Sequence, residues 1–417
     1  MNILNEGYSN YRNLYYKGKG SIVYTRDKKP FIDLSCGAGT LLLGHNSKIR
    51  TKSIKDYLNK SLSQFSHPNI SAYKLAKTLK KIFPQFEKFV FCNTGAEANI
   101  KALRIARAVT GKNLIINVTG SWHGSVDQFL FNTKNNYNFW GINEKTQIKS
   151  LSAGIDENLK RNLKYIPSNN IKASEKILKK YKNKICCVLI EPIQGAFPTK
   201  ETLEYLQFLS NFCLKNKILL FFDEILSGIR VGCSSVQNSY NLKTSISTFG
   251  KIIGGGMPIG IIGISKKVNS ILKNKKQKIF FGGTYSGNSL STHVGHKTLS
   301  YIIKNKKKIF KKIEKDSEFF EKNINYFINK NRIDAKVIRF HSIIRIIFSK
   351  KNVRNRAQRD FFEKNNLEKR TKFLNFLKSK GIIFPGNGII FFNYSLTQKQ
   401  LKYLVITVNQ GLKFFFK

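Results

Sequence analysis

The chain predicts an α/β protein: a large domain built on a mostly parallel sheet, followed by a smaller α+β domain. Two observations carry this. From about residue 88 to 265, short apolar runs of strand length alternate with longer helix-like stretches, and the runs lack the polar alternation of half-exposed strands. After about residue 300 the texture changes to a lysine-rich amphipathic helix and two β-rich stretches, with no Pro- or Gly-rich linker between the parts. At 417 residues there is room for both cores.

Taken in order, residues 1–45 are expected to pack with the small domain, 46–300 to form the large domain and 301–417 the small one. The strands of the large domain are expected at "FVFCN" (89–93), "NLIINV" (113–118), "ICCVLIEP" (185–192), "ILLFFDE" (218–224) and "GIIGIS" (260–265). In the small domain, "AKVIRFHSIIRIIFS" (335–349) and "GIIFPGNGIIFFNYS" (381–395) flank a helix near 358–380.

The charge is unusual, with 73 basic against 24 acidic side chains and a net +49. Taken alone that suggests a nucleic-acid or anionic-membrane partner. The lysines are scattered, however, with only short clusters such as "KNKKQK" (273–278), and Asn and Ile are abundant, as drift of an AT-rich coding sequence produces. Salt-sensitive binding to polyanions is expected, but no specific nucleic-acid partner. The amino terminus has no apolar core like that of a signal peptide, and no run reaches a membrane span. The expectation is a soluble cytoplasmic protein without a membrane partner. Six cysteines without a CxxC pair, most of them in apolar runs, read as buried free thiols in a reducing compartment. No metal site is expected.

Ligands of an open parallel sheet gather at the carboxyl ends of its strands, so the polar residues there carry the chemistry. In "FVFCNTGAEANIKALRIARAV" (89–109), Thr94 and Glu97 have capping-box spacing. A helix therefore starts near Gly95, and the amides of Gly95 and Ala96 can receive a phosphate. A plain strand-to-helix turn explains the motif equally well. In "ILLFFDE", Asp223 and Glu224 end a buried strand and need a cation or a donor. One reading is a salt bridge or a helix cap, the other a partner for a protonated ring nitrogen. In "STFGKIIGGGMPIG" (247–260) the lysine precedes the glycines, which excludes a P-loop. Lys251 then returns to the same sheet edge as Asp223, in an enclosed setting that tunes an amine nucleophile. Gly254 to Gly256 are expected to let the backbone lie against something flat. Finally, "GSWHG" (120–124) offers Trp122 to stack on a ring, with His123 beside it, although both are common in plain cores.

A phosphate cradle, an aromatic stacker, an acid for a ring nitrogen and a lysine nucleophile are what a pyridoxal-phosphate enzyme needs. The chain resembles the class III aminotransferases of fold type I, nearest to the glutamate-1-semialdehyde aminomutases and their aminotransferase relatives. The likeness runs through "FIDLSCGAGTLLLGHN" (31–46), "CNTGAEANIKALRIARAVTGK" (92–112), "GSWHG", "VLIEPIQG" (188–195), "LLFFDEILSGIRV" (219–231), "STFGKIIGGGMPIG" and "GGTYSGN" (282–288).

The resemblance implies pyridoxal 5'-phosphate held as a Schiff base on Lys251, with Asp223 on the ring nitrogen. It implies Gly95 and Ala96 on the phosphate, Trp122 over the ring with His123 beside it, and Glu191 and Gln194 supporting from the neighbouring strand end. Thr284 would reach the phosphate in the other subunit of a homodimer with shared active sites. Small amine and carbonyl compounds would be the substrates, through aminotransfer or, alternatively, as the aminomutase that makes 5-aminolevulinate for tetrapyrrole synthesis. Ser9 and Arg12 resemble a carboxylate-binding Ser-x-x-Arg, and Arg345 is a further candidate anchor beside its plainer reading as an exposed strand arginine. Two departures stand out: Ile389 takes the place of a family Glu, and Ser289 stands where the family has Pro. A basic binding protein on a decayed enzyme fold is the reading from another class, and the intact Lys251, Asp223 and phosphate turn argue against it.

Overall fold

The structure is a computed structural model, and it describes residues 14–65, 67–133 and 147–417. Three short strands open it, β1 (Tyr15–Lys19), β2 (Ile22–Thr25) and β3 (Pro30–Asp33), each antiparallel to the next. The parallel partner of β3 is Ile382–Ile383, from the far end of the chain. Helices α1 (Lys48–Asn59) and α2 (Ile70–Ile82) follow. Each starts on a side-chain cap: Ser47 accepts the Arg50 amide and Asn69 the Ala72 amide.

The central sheet contains β4 (Phe86–Cys92), β5 (Leu114–Val118), β6 (Leu163–Ile166), β7 (Ile185–Ile190), β8 (Leu219–Asp223), β9 (Ile246–Gly250) and β10 (Gly260–Ser265). Their spatial order is β4-β10-β9-β8-β7-β5-β6. Only β10 runs antiparallel to its neighbours. Every residue of β7, β8 and β9 is buried, which is why β7 and β8 read as apolar runs, whereas β9, with Ser247 and Thr248 inside it, is buried without reading as one. Helices α3 (Gly95–Thr110), α4 (Ile171–Tyr181) and α5 (Thr202–Lys215) lie between the strands in sequence, and α6 (Lys266–Lys273) follows the last of them. The stripe Ala98, Ala102, Ile105 and Ala106 of α3 is completely buried.

The rest of the chain forms α7 (Ser289–Lys304), α8 (Lys306–Lys330), β11 (Lys336–Phe340), β12 (Ile343–Ile347), α9 (Arg356–Glu363), α10 (Leu367–Ser379), β13 (Ile382–Ile383), β14 (Ile389–Phe391) and α11 (Gln398–Phe416). β11, β12 and β14 make an antiparallel sheet. Its core joins Phe320, Ile344, Phe373 and Leu404 to Ile32 and Leu34 from the amino-terminal strands.

Two sequence expectations change, and one departure from the family pattern finds its place. The glycines after Lys251 do not face a flat ligand. Gly255 and Gly256 have φ of +60° and +95°, and a side chain at Gly255 would collide with Thr298 and Val294 of α7. Gly255 thus approaches a helix, while Gly254 meets Ile259 and Gly256 meets Arg50 and Leu41. Ser289, where the family has Pro, is the first residue of α7, a position Pro tolerates because its amide is not needed there. Here the amide donates to Gln64 Oε1 at 3.3 Å, and the hydroxyl meets Tyr57 and the Ser63 carbonyl. Arg345 is not an exposed strand arginine; it is 2% exposed. It donates to the Asn387 carbonyl at 2.7 Å and lies 4.0 Å from Glu363. All six cysteines are free, and five are buried.

Candidate active site

Neighbouring strands end together at one edge of the sheet. β8 and β9 are parallel with Asp223 beside Thr248, so the turn that follows β9 puts Lys251 on the side of Asp223. Lys251 holds a left-handed φ of +48°, uncommon for a residue with a side chain. Burial holds the Lys251 ammonium below its usual pKa, and the nearby Glu191 and Asp223 carboxyls only partly offset this. The amine is therefore easier to deprotonate than a surface lysine.

Asp223 is 3% exposed, and three donors hold it. Asn99 Nδ2 reaches Oδ2 at 2.7 Å, His123 Nδ1 meets the same oxygen at 2.8 Å, and the Ile225 amide donates to Oδ1 at 3.1 Å. The far side of the His123 ring meets Asn117 Oδ1 at 3.2 Å. Asn99 is itself fixed, because its oxygen accepts from Thr248 at 2.6 Å and its amide nitrogen also donates to the His123 carbonyl. His123 thus supports Asp223 from inside the core.

Glu224, next in sequence, has the plainer of the two expected roles. It accepts the Val236 amide at 2.6 Å, the Gln237 amide at 3.3 Å and the Ser227 hydroxyl, and so caps a short helix. Burial pushes its carboxyl up to about 7, against the pull of those donors.

The helix α3 starts as expected, though its cap differs in one detail. Thr94 Oγ1 accepts the Glu97 amide at 3.1 Å, but Glu97 reaches back to the Asn93 amide at 2.7 Å, one residue before the cap. The next helical bond is from the Ala98 amide to the Thr94 carbonyl, so the amides of Gly95 and Ala96 are the pair a phosphate can take. A side chain at Gly95 would come within 2.5 Å of Ile225, and one at Gly124 within 2.6 Å of Ala96. The cradle is open because glycine stands at both places.

Glu191 is 7% exposed and accepts the Trp122 amide at 2.8 Å. Burial first, and the Asp223 charge second, push its carboxyl up to about 8. Gln194 donates to the Thr119 carbonyl and Ser121. The Trp122 side chain itself is 54% exposed. Thr284 lies on a separate, exposed segment, where its carbonyl accepts from Gln64. Ile389 is half-buried against Gly195 and Leu226. Ser9 and Arg12 lie outside the described residues.

The edge therefore brings together a buried acceptor, an amine of lowered basicity and an open pair of helix amides. These fit the ring nitrogen, the aldehyde and the phosphate of pyridoxal phosphate respectively.

The family model of aminotransferase class-III matches residues 3–405. The chain belongs to the class-III aminotransferases. The glutamate-1-semialdehyde 2,1-aminomutase of Clostridium novyi (strain NT) is 28% identical over 402 residues, covering 95% of this chain and 89% of that protein. The enzyme of the same name from Wigglesworthia glossinidia brevipalpis is 30% identical over 404 residues, covering 96% and 89%. An omega-transaminase from Sphaerobacter thermophilus superposes with a TM-score of 0.87 at 20% identity, over 97% of this chain and 92% of that one.

This class-III aminotransferase has the fold type I architecture of pyridoxal-phosphate-dependent enzymes. Among the described residues no helix is long and apolar enough to cross a membrane. Four site residues escaped the sequence reading. Asn99 and Asn117 are polar residues on buried surfaces, in α3 and β5, and that mismatch was their signal. Ile225, beside Gly95 and Gly250, and Arg230, buried against Gly39, Ser342 and the Phe391 ring, look like ordinary loop residues until the chain is folded.

Proposed function

We propose that this aminotransferase moves an amino group onto a keto or aldehyde substrate, in the aminomutase-like branch of the family, with Lys251 carrying the cofactor and Asp223 holding its ring nitrogen protonated. The observation that carries the reading is Asp223: a buried carboxylate with donors on both oxygens, one strand away from a lysine whose ammonium is destabilised by burial. The cofactor, when bound, supplies an electron sink for the carbon that bears the amino group. The protein supplies the rest. Gly95 and Ala96 bind the phosphate, and Trp122 covers the ring. Asn99 and His123 fix the acceptor, Glu191 holds the Trp122 backbone, and the Lys251 amine moves the proton.

A homodimer completes this reading. Leu58, Phe65, Ile70, Tyr73, Phe280 and Tyr285 are large apolar side chains left exposed. The two segments that carry them are tied together by Gln64 to Thr284 and Asn69 to Gly287. In the proposal a second copy covers this face and receives Thr284 at its phosphate.

The second reading, the aminomutase itself, is favoured by the names of the relatives, which share about 30% of their residues with this chain. One assay separates the two. The purified protein, loaded with pyridoxal phosphate, is given glutamate 1-semialdehyde and no other amine or carbonyl compound. Formation of 5-aminolevulinate establishes the mutase, whereas turnover that waits for an added donor establishes intermolecular transfer. Borohydride should fix the cofactor to Lys251 in the wild type and not in Lys251→Ala. Full activity of Lys251→Ala would defeat both readings.

A further inference from the structure

The face of α3 that turns away from the strands holds a second arrangement. Lys101 is only 5% exposed, and all three of its ammonium donors are satisfied. They reach Glu97 Oε1 at 2.5 Å, the Phe281 carbonyl at 2.9 Å and the Gly282 carbonyl at 3.0 Å. One turn further on, Arg104 donates to the Phe280 carbonyl at 2.6 Å. Three consecutive carbonyls of a segment without regular structure are thus gripped by one helix. From the other side, Gln64 holds the Thr284 carbonyl at 3.2 Å. The helix end of the same network is Glu97, whose second oxygen takes the Asn93 amide just before the phosphate turn.

A buried ammonium costs more to desolvate than a surface one, and the hydrogen bonds to one carboxylate and two carbonyls that offset this cost hold the loop. Position 101 lies four residues after Glu97, so the ion pair spans one helical turn and Lys101 faces outward to the loop. Phe280 and Tyr285 are 77% and 62% exposed, while Ile279 and Phe281 pack partly buried against the large-domain core, so the backbone contacts of Lys101 and Arg104 act together with that anchor to set the loop.

We propose that Lys101 is a positioning residue: with Arg104 it holds residues 280–282 so that Thr284 projects at a set height toward the cofactor phosphate of a second subunit. The Glu97–Lys101 pair then serves two sites, the phosphate turn of its own chain and the Thr284 arm offered to the next. This rests on the reading that Thr284 acts across a homodimer.

The test compares the wild type with Lys101→Met, Lys101→Gln, Thr284→Val and the Lys101→Met/Thr284→Val double variant. For each, dissociation constants are measured by absorbance titration of the full-length apoprotein, with pyridoxal phosphate and separately with pyridoxal, which lacks the phosphate. Lys101→Met and Thr284→Val should each weaken pyridoxal phosphate by about tenfold. The double variant should be no weaker than either single, and pyridoxal affinity should not move. Lys101→Gln, which keeps two donors, should lie between the wild type and Lys101→Met, and amide exchange at 281–285 should quicken in Lys101→Met. Equal loss for both ligands, or effects that multiply in the double variant, would overturn the positioning role in favour of a local effect on the chain's own turn. If Thr284→Val binds like the wild type, the cross-subunit reading of Thr284 fails, and the inference falls with it. If Thr284→Val is weakened but Lys101→Met is not, only the inference falls.

Discussion

Gly124→Ala is expected to disable the phosphate cradle from outside it. Gly124 has a φ of +102°, and a methyl group there would lie 2.6 Å from Ala96 Cβ and 3.0 Å from Ala96 Cα. Two costs follow. The backbone conformation is one that a residue with a side chain rarely holds, at about 1–3 kcal/mol. The contact with Ala96 must also open by about 1 Å to reach an ordinary carbon-carbon distance. Ala96 cannot rotate away, because one of the clashing atoms is its own backbone, so the movement displaces an amide of the cradle. A misplacement of that size is worth about a hundredfold where geometry decides binding or rate. Titrating the apoprotein with pyridoxal phosphate should show the affinity falling by about ten- to a hundredfold, or about 1.4–2.7 kcal/mol.

Gly111→Ala, at the other end of the same helix, is the control. Its φ is +66°, and nothing lies within 4 Å of the added carbon. In urea unfolding it should lose about 1 kcal/mol of stability with no change in cofactor affinity. Wild-type affinity in Gly124→Ala, alongside the expected behaviour of Gly111→Ala, would refute the placement of the cradle at Gly95 and Ala96.

Two further outcomes are expected. Asn99→Asp keeps the shape but sets a second carboxyl at the 2.7 Å position beside Asp223 Oδ2; the two cannot both ionise, so one proton is held well above its unfolded pKa. Its stability deficit against the wild type should be small near pH 4.5 and largest near pH 8, and a pH-independent deficit in urea unfolding would count against that arrangement. For Glu224, the folded carboxyl is raised to about 7 from 4.5, so its contribution is fully present below the unfolded value and is lost as pH rises through the folded one. Glu224→Gln should therefore gain on the wild type by up to about 3 kcal/mol between pH 5 and 8, and a flat difference would show that the carboxyl is already ionised in the fold.

Much of the candidate site was legible in the chain because Asp223 and the turn at Gly95 stand where apolar runs stop and Lys251 stands before a run of glycines. Asp223 and Lys251 follow fully buried strands and the turn at Gly95 follows the partly exposed β4, and strands running in one direction bring their carboxyl ends to one edge. The roles within that edge were less legible. Asp223 and Glu224 are adjacent in sequence and similar in chemistry, yet Asp223 is the last residue of β8 and Glu224 the first beyond it, where the chain turns toward the capped helix. One therefore meets Asn99 and His123, and the other caps a helix. The triple glycine misled for a related reason: glycine signals a close approach without saying to what, and at Gly255 it is to Thr298. Arg345 misled because a strand arginine is normally solvated, and only the fold supplies the Asn387 carbonyl and Glu363 that let it be buried.

By itself the sequence determined the layers, the family and the residue types able to hold a phosphate, a ring nitrogen and an aldehyde, because hydrophobic period and strand-end polarity are local properties of the chain. Tertiary structure alone decided which donors surround Asp223, that burial holds the Lys251 ammonium below its usual pKa, and that Lys101 grips a loop 180 residues away. Those depend on burial and on distances between distant segments, and neither exists until the chain has packed.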